Sequence, residues 1–176
     1  EGGAEIAVKE ITNRISNTEF DLITLRFNKA HSAQEKIGNV NVFRLDSSKT
    51  LFPFKAFLFA GKLHKKRKYD LIWAIMANWA GLAALFFKWR FPKVPYLLTL
   101  QEGDSLDFIK RMKFEVMNLS RFASRPGTLA SKLEQLPDLV IKQRSVEVTK
   151  LQKEIRKETF NINLEITNSK LIVIQT

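Results

Sequence analysis

Cysteine is absent from this chain of 176 residues, and histidine occurs only at His31 and His64. The absence of cysteine excludes disulfides, cysteine nucleophiles, and thiolate or iron–sulfur ligation by this chain. Two imidazoles are too few for a histidine-rich metal site. The sequence also lacks a Gly-rich phosphate loop, a His-Glu-x-x-His zinc motif and a Gly-x-Ser-x-Gly nucleophile motif.

The chain begins at Glu1 without a methionine and without the residue order of a signal peptide, which indicates a fragment. Long apolar runs are also scarce. Residues 71–87 carry no charged side chain, and a membrane-spanning helix needs about 20 apolar residues. However, Asn78 interrupts the run, and strand-favouring residues change to helix formers there. A short buried strand followed by a buried helix explains this composition better than a membrane span.

Acidic residues are few relative to basic ones, since 18 Asp and Glu face 29 Lys and Arg, for a net charge of +11. This excess favours an anionic partner, which could be nucleic acid, an acidic lipid surface or a phosphorylated ligand. Hydrophobic residues make up 45% and charged residues 27%, as is usual for globular proteins. We expect a single domain over residues 1–176.

Hydrophobic periodicity predicts helices that alternate with strands. The helices are expected at residues 2–17, 52–68, 79–89, 106–122, 128–136 and 146–157. The strands are expected at residues 20–26, 40–45, 69–76, 96–100, 139–142, 163–166 and 171–174, with a polar loop through His31 and Gln34. This alternation predicts an α/β fold, a Rossmann-like and mostly parallel sheet with flanking helices.

Parallel sheets bind ligands beyond the carboxyl ends of their strands. The segments to search for a site are therefore residues 27–31, 77–79, 101–104 and 143–145, together with residues 1–5 at the entry of the first helix.

A glycine pair, Gly2 and Gly3, opens the first predicted helix. Glycines at a helix amino terminus let backbone N–H groups approach an anion, and the helix dipole adds attraction. A tight turn without a ligand explains the same pair. Glu5 lies in the first helical turn, where a carboxylate stabilises the dipole whether or not it has a function.

Four residues with polar or small side chains directly follow the predicted strand at 96–100: Gln101, Glu102, Gly103 and Asp104. Carboxylates and an amide at a strand end can position sugar hydroxyls or transfer protons. A polar cap on a buried strand is an equally good explanation.

Residues 52–68 combine apolar and basic side chains. The phenylalanines, among them Phe54 and Phe57, cover more of the helix than one core-facing stripe needs. The segment ends in a run of cations: Lys62, Lys65, Lys66, Arg67 and Lys68. This pattern is typical of a helix at an anionic lipid surface, and it also suits a core helix with a solvated basic end. No nucleic-acid reader motif accompanies the charge, so we expect no nucleic-acid partner.

Several segments together resemble the amino-terminal domain of glycosyltransferase family 4, which has the GT-B fold. They are GGAEIAVKEI, YDLIWAIMANWAGLAALFFKW, VPYLLTLQEGD and LPDLVIKQRSVEVTKLQKE. Residues 171–175 resemble the strand that enters the family's interdomain linker. The resemblance covers nearly the whole chain, and residues 112–134 match least.

The resemblance implies a retaining transfer of a sugar from a nucleotide sugar to a glycan or lipid-linked acceptor, in cell-envelope glycan biosynthesis. This chain would be the acceptor-binding half, inactive without its missing carboxyl-terminal domain. The family also implies no metal ion and no cofactor, and a cytoplasmic protein that is peripheral at the inner face of the cell membrane. The alternative from another class is a non-catalytic α/β module that binds a membrane surface or a partner.

The resemblance also implies site residues. Gln101, which stands where the family has histidine, and Asp104 would be catalytic. The donor or acceptor would contact Gly2, Gly3, Glu5, Asn78, Trp79, Glu102 and Gly103. Phe54, Phe57 and the basic run would meet the membrane surface. Because the family's central first strand is not recognisable before Gly2, we expect unpaired strand edges and marginal stability.

Overall fold

The computed structural model describes residues 3–76, 78–100, 116–119, 132, 134, 137–158 and 169–175. Its helices are α1 (Gly3–Arg14), α2 (Phe52–Arg67), α3 (Trp79–Arg90) and α4 (Asp138–Glu158). Its strands are β1 (Glu19–Leu25), β2 (Gln34–Ile37), β3 (Val40–Leu45), β4 (Leu71–Ile75), β5 (Tyr96–Leu100), β6 (Val116–Leu119) and β7 (Lys170–Ile174).

The described strands form one sheet in the order β2-β3-β1-β7-β4-β5-β6. Every pairing is parallel except that of β2 with β3 at one edge, which is antiparallel. The fold is therefore α/β with a Rossmann-like, mostly parallel sheet, as the alternation of helices and strands predicts.

Strand β7 occupies the centre of the sheet. Val173 lies opposite Leu22 of β1 on one side and opposite Trp73 of β4 on the other. Residues 171–174 are all buried, as is usual for a central parallel strand that is covered on both faces. The expectation of an unfilled central position is therefore wrong, whereas the marginal stability expected from it is not tested by the structure.

The two faces of the sheet carry separate hydrophobic clusters. On one face, α2, α3 and α4 contribute Ala56, Ala83 and Val148 to a cluster that includes Ile172. On the other face, α1 places Val8 against a cluster that includes Val173. Alternate residues of β7 thus enter opposite cores, because successive side chains of a strand point to opposite faces.

The sequence-based elements need three corrections. The polar stretch after β1 contains strand β2, which pairs with β3 through a hairpin at Gly38, where φ is +58°. Residues 116–119 form strand β6 rather than the predicted helix. Residues 139–142 begin α4 rather than forming a strand. The predicted helix at 128–136, apart from the isolated positions 132 and 134, and the strand at 163–166 lie outside the described residues.

Within the described residues, no helix has the length and apolar character needed to cross a membrane. The uncharged run at residues 71–87 is divided between the buried strand β4 and helix α3, as its composition indicates.

Candidate functional site

The connections of the sheet place a crevice at the carboxyl ends of its central strands. From β1 the chain proceeds to β3 on one side of β7, and it later returns to β4 on the other side. Open α/β sheets bind ligands where the strand order reverses in this way. The backbone N–H of Gln175, just after β7, donates to the carbonyl oxygen of Ile23 at 3.0 Å, which holds this end of β7 beside β1.

A groove of about 480 Å³ opens beside α1, along β1 and β3. Its apolar wall includes Val8, Leu22, Val40 and Val42. Its polar wall is formed by Lys9, Thr12, Asn13, Thr24, Asn28, His31, Arg44 and Gln175. The segment 27–31, which the sequence places after a strand, therefore does lie at a cavity.

The chemistry of the groove favours a ligand that is partly flat and partly anionic. None of the described residues lining it carries a carboxylate, whereas Lys9, His31 and Arg44 bring basic groups. Arg44 is held in place by an ion pair with Glu35 and by a hydrogen bond to the carbonyl oxygen of Ser32 at 3.0 Å. The apolar wall can cover a planar ring while the polar wall binds charged substituents.

No motif in the sequence marks Lys9 or Arg44 as residues that line a cavity. Lys9 lies on a helix that was expected to bind through its glycines, and Arg44 lies inside a strand. Only the packing of α1 against β1 and β3 brings them to one cavity.

Asn78 and Trp79 lie at the carboxyl end of β4, as expected. The Asn78 side chain accepts a hydrogen bond from the backbone N–H of Ala80 at 3.1 Å and so caps α3. Met76 precedes them with a φ of 72°, a left-handed conformation that turns the chain from β4 into the helix. Trp79 is 37% exposed. Their predicted role in ligand binding stays a prediction.

The structure describes only some of the other predicted site residues. Gly3 and Glu5 lie in the first turns of α1. Gly2 and the four residues Gln101, Glu102, Gly103 and Asp104 lie outside the described residues. The roles predicted for these residues are not tested by the structure.

The basic run lies near the amino-terminal ends of the strands, whereas the crevice lies at their carboxyl ends. Helix α2 follows β3 and precedes the parallel strand β4, so its carboxyl end lies where the strands begin. We call the four exposed lysines there the basic end: Lys62, Lys65, Lys66 and Lys68. Cations at a helix carboxyl terminus are favourable for the helix itself.

Arg67 differs from its neighbours, because its guanidinium is paired with a buried carboxylate instead of being left for a membrane surface. Its guanidinium contacts the carboxylate of Asp21 at 2.8 Å, and that carboxylate is only 2% exposed. Asp21 also accepts hydrogen bonds from Tyr69 and, at 2.7 Å, from Asn41. Burial and the hydrogen bond to Asp21 raise the pKa of the Tyr69 hydroxyl, which therefore stays protonated as a donor.

His64, which is half-buried, makes a second polar contact near this end of α2. Its Nδ1 accepts the backbone N–H of Tyr69 at 3.0 Å, and its ring packs between Tyr69 and Phe91. Burial, followed by the charge of Lys68, lowers the pKa of His64 from its ordinary value of 6.5. The neutral ring is thus the form that the fold prefers.

We expect the free energy of unfolding to decrease as the pH falls below about 6.5, since the unfolded chain then binds a proton that native His64 resists. Urea denaturation at a series of pH values measures this dependence. The His64→Gln variant should show a weaker dependence over that window. The matched variant His31→Gln, which changes an exposed imidazole, should follow the wild type. Equal pH dependence in all three proteins would refute the assignment.

Comparison with curated proteins identifies relatives over part of the chain. Over 70 residues, or 40% of this chain, it is 36% identical to a Pyrococcus horikoshii protein named a probable threonylcarbamoyladenosine tRNA methylthiotransferase. Proteins of the same name from Pyrococcus abyssi and Archaeoglobus fulgidus are 33% identical over 70 residues and 32% identical over 72 residues. The matched part spans 16% of the length of these curated relatives. No protein-family model and no solved structure matches the chain.

These relatives overturn the resemblance to glycosyltransferase family 4, because they are named for tRNA modification and not for sugar transfer. The predicted sugar transfer in cell-envelope glycan biosynthesis is wrong. So are its partners, namely the nucleotide sugar, the glycan or lipid-linked acceptor, the anionic membrane and the missing GT-B domain. The prediction that nucleic acid is not a partner is also wrong, because the relatives are named for an activity on tRNA. The relatives do not support the non-catalytic module that binds a membrane or a partner either.

Proposed function

We propose that this chain is part of a tRNA-modifying enzyme that acts on threonylcarbamoyladenosine in tRNA, and that it binds the tRNA. The observation that carries this proposal is the likeness over about 70 residues to three archaeal proteins named as probable tRNA methylthiotransferases, at 32–36% identity. The excess of basic residues, with a net charge of +11, supports it, since phosphates dominate the affinity of proteins for RNA.

The basic end is the part of the described surface that best suits a phosphate backbone. Between residues 47 and 69 the sequence contains no Asp or Glu, and Asp70 is the first carboxylate after it. Asp70 keeps its charge while its carboxylate accepts the backbone N–H of Lys170 at 2.9 Å, so one carboxylate borders four lysines. On α4, by contrast, the lysines alternate with Asp138, Glu147 and Glu154. Neighbouring carboxylates weaken the attraction for an anion, so the basic end is the stronger site.

The groove beside α1 suits the modified nucleoside. Its volume of about 480 Å³ lies within the range of about 300–1,000 Å³ that is typical of small-molecule sites. Threonylcarbamoyladenosine combines a flat adenine with a threonyl carboxylate. The apolar wall can cover the adenine, and Lys9 is placed to attract the carboxylate.

The chain's own contribution is recognition of RNA and not the delivery of sulfur. With no cysteine in the sequence, no side chain can act as a thiolate donor or as a thiolate ligand. The residues that line the groove hold and orient a nucleoside, whereas the sulfur chemistry belongs to groups outside this chain.

The test is the binding of a fluorescently labelled tRNA transcript at increasing salt concentration. We expect the affinity of the whole chain to fall steeply with salt, because bound phosphates release counterions. A variant with all four lysines of the basic end changed to glutamine should bind less tightly. Its slope of log K against log salt should be shallower by roughly 1 for each phosphate contact that is lost.

The matched control removes the same charge elsewhere, by changing Lys36, Lys142, Lys150 and Lys153 to glutamine; all four are exposed. This control should retain more affinity and a slope closer to that of the wild type. The proposal fails if the chain does not bind tRNA, if binding is independent of salt, or if the two variants lose affinity and slope equally.

A further inference from the structure

Two helices expose aromatic and apolar side chains on the face that they turn away from the sheet. On α2, Phe54 is 61% exposed and Leu58 is 57% exposed, one helical turn apart. On α3, Trp89 is 66% exposed. The Phe86 ring lies between the two helices, with its centroid 5.3 Å from that of Phe54 and 5.7 Å from that of Trp89. We call Phe54, Phe86 and Trp89 the aromatic ridge.

The core does not require this ridge. Helix α2 buries Phe52, Pro53, Ala56 and Ala60 against the sheet, and α3 buries mainly alanines together with Leu85 and Phe87. The ridge residues point elsewhere, and each exposed ring leaves apolar area in contact with water. A contiguous exposed apolar patch is typical of a surface that binds a partner molecule.

The two helices that carry the ridge contain basic residues and no acidic residue. From residue 71 to residue 100 the sequence contains no Asp or Glu, as is also true of α2. Lys62 of the basic end lies one helical turn after Leu58 on α2, and Arg90 follows Trp89 on α3. The ammonium of Lys55, next to Phe54, donates to the carbonyl oxygen of Asp46 at 2.7 Å. The partner that covers the ridge must therefore present negative charge and flat or apolar groups together.

We propose that the aromatic ridge stacks the bases of an unpaired RNA strand while the flanking cations bind its phosphates; this rests on the proposed function. Proteins that bind single-stranded nucleic acid combine aromatic faces with a positively charged track in this way. The bases of a duplex are already stacked and cannot lie on the rings, so the ridge prefers unpaired nucleotides.

The ridge and the groove lie on opposite faces of the sheet. Helix α2 contributes to the cluster that contains Ile172, and α1 contributes to the cluster that contains Val173. The ridge is therefore an RNA contact on the face of the sheet opposite to the nucleoside groove.

The test uses tryptophan fluorescence of the whole chain titrated with an unstructured oligouridylate, a duplex RNA of the same charge, and intact tRNA. We expect quenching by the single strand, and its loss in Trp89→Phe identifies the reporting ring. Affinities of the variants are measured by the fluorescence anisotropy of a labelled oligouridylate, which does not depend on Trp89 emission. The Phe54→Ala and Trp89→Ala variants should each bind the single strand at least about fivefold more weakly. Their salt slopes should remain near the wild-type value, since no cation is removed.

The matched control is Leu58→Ala, which removes an exposed apolar side chain from the same face without removing a ring. It should keep its affinity for the single strand. The circular dichroism spectrum of each variant should match that of the wild type, because the changed side chains are exposed.

The other outcomes test base stacking on the ridge separately from the proposed function in tRNA modification. If Leu58→Ala weakens binding as much as Trp89→Ala does, or if the duplex quenches as strongly as the single strand, stacking on the ridge is refuted. Preferential binding to anionic phosphatidylglycerol vesicles instead of RNA would also overturn it. If the ridge variants bind tRNA normally while the basic-end variant does not, the ridge fails and the proposed function stands. If the oligouridylate stacks on Trp89 but tRNA does not bind, the ridge stands and the proposed function fails.

Discussion

Changing Arg67 to methionine should lower the free energy of unfolding by about 3–5 kcal/mol, the loss that is typical when a buried charge loses its partner. The Asp21 carboxylate is only 2% exposed, so without the guanidinium it has little access to water. Tyr69 and Asn41 still donate hydrogen bonds to it, but neither supplies a positive charge. Urea denaturation measures the loss as a shift of the midpoint.

The neighbouring variant Lys66→Met is the control, because Lys66 is exposed and belongs to the basic end. It should change stability by less than about 0.5 kcal/mol. Asp21→Asn should cost less than Arg67→Met, since the Arg67 side chain is 37% exposed and can still be hydrated. In the double variant the losses should be smaller than their sum, as they are for residues in contact. Equal stability of Arg67→Met and Lys66→Met would show that the buried pair does not form.

Changing Ile172 to alanine should cost about 2–5 kcal/mol, because it creates a cavity in the centre of the sheet. Ile172 is completely buried and lies opposite Asp21 of β1 and Ile72 of β4. Its side chain belongs to the cluster formed with α2, α3 and α4. The loss is read from denaturant unfolding, in which the midpoint should fall while the slope stays unchanged.

The control, Ile172→Val, removes one methyl group and should cost about 0.5–1.5 kcal/mol. The wild-type chain itself should unfold in one cooperative transition, because β7 pairs with neighbours on both sides. If Ile172→Ala were no less stable than Ile172→Val, the central position of β7 would be wrong.

The proposed RNA contact at the basic end and the buried ion pair assign separate roles to residues that are adjacent in sequence. Lys66 and Lys68 are available to phosphate, whereas Arg67 between them stabilises the fold. A basic run is therefore not a uniform binding surface. Neutralising Arg67 together with the lysines would confuse loss of binding with loss of structure, which is why the basic-end variant leaves it unchanged.

The resemblance to a glycosyltransferase shows how far short motifs can mislead. Segments such as AGLAALFF are typical of a helix that packs on a parallel sheet, and α3 does so here. Such segments therefore report on the α/β fold more than on the reaction, since one fold carries many unrelated functions. The fold was predicted correctly while the activity and the partners were not.

The sequence by itself determined most of the local elements between residues 3 and 100. Strands β3 and β5 begin and end where their alternation predicts, and α2 differs from its predicted range by a single residue. These elements are encoded by neighbouring side chains that repeat with the period of a strand or a helix. The excess of positive charge is likewise a property of the composition.

Only the tertiary structure decided which of these elements meet. The insertion of β7 between β1 and β4 joins Lys170 to Asp70, 100 residues earlier in the chain. The contact of Arg67 with Asp21 and the closure of the groove by α1 depend on the same packing. Such pairings are selected by burial and by hydrogen bonding between distant residues, and a periodicity that spans only a few residues carries no information about them.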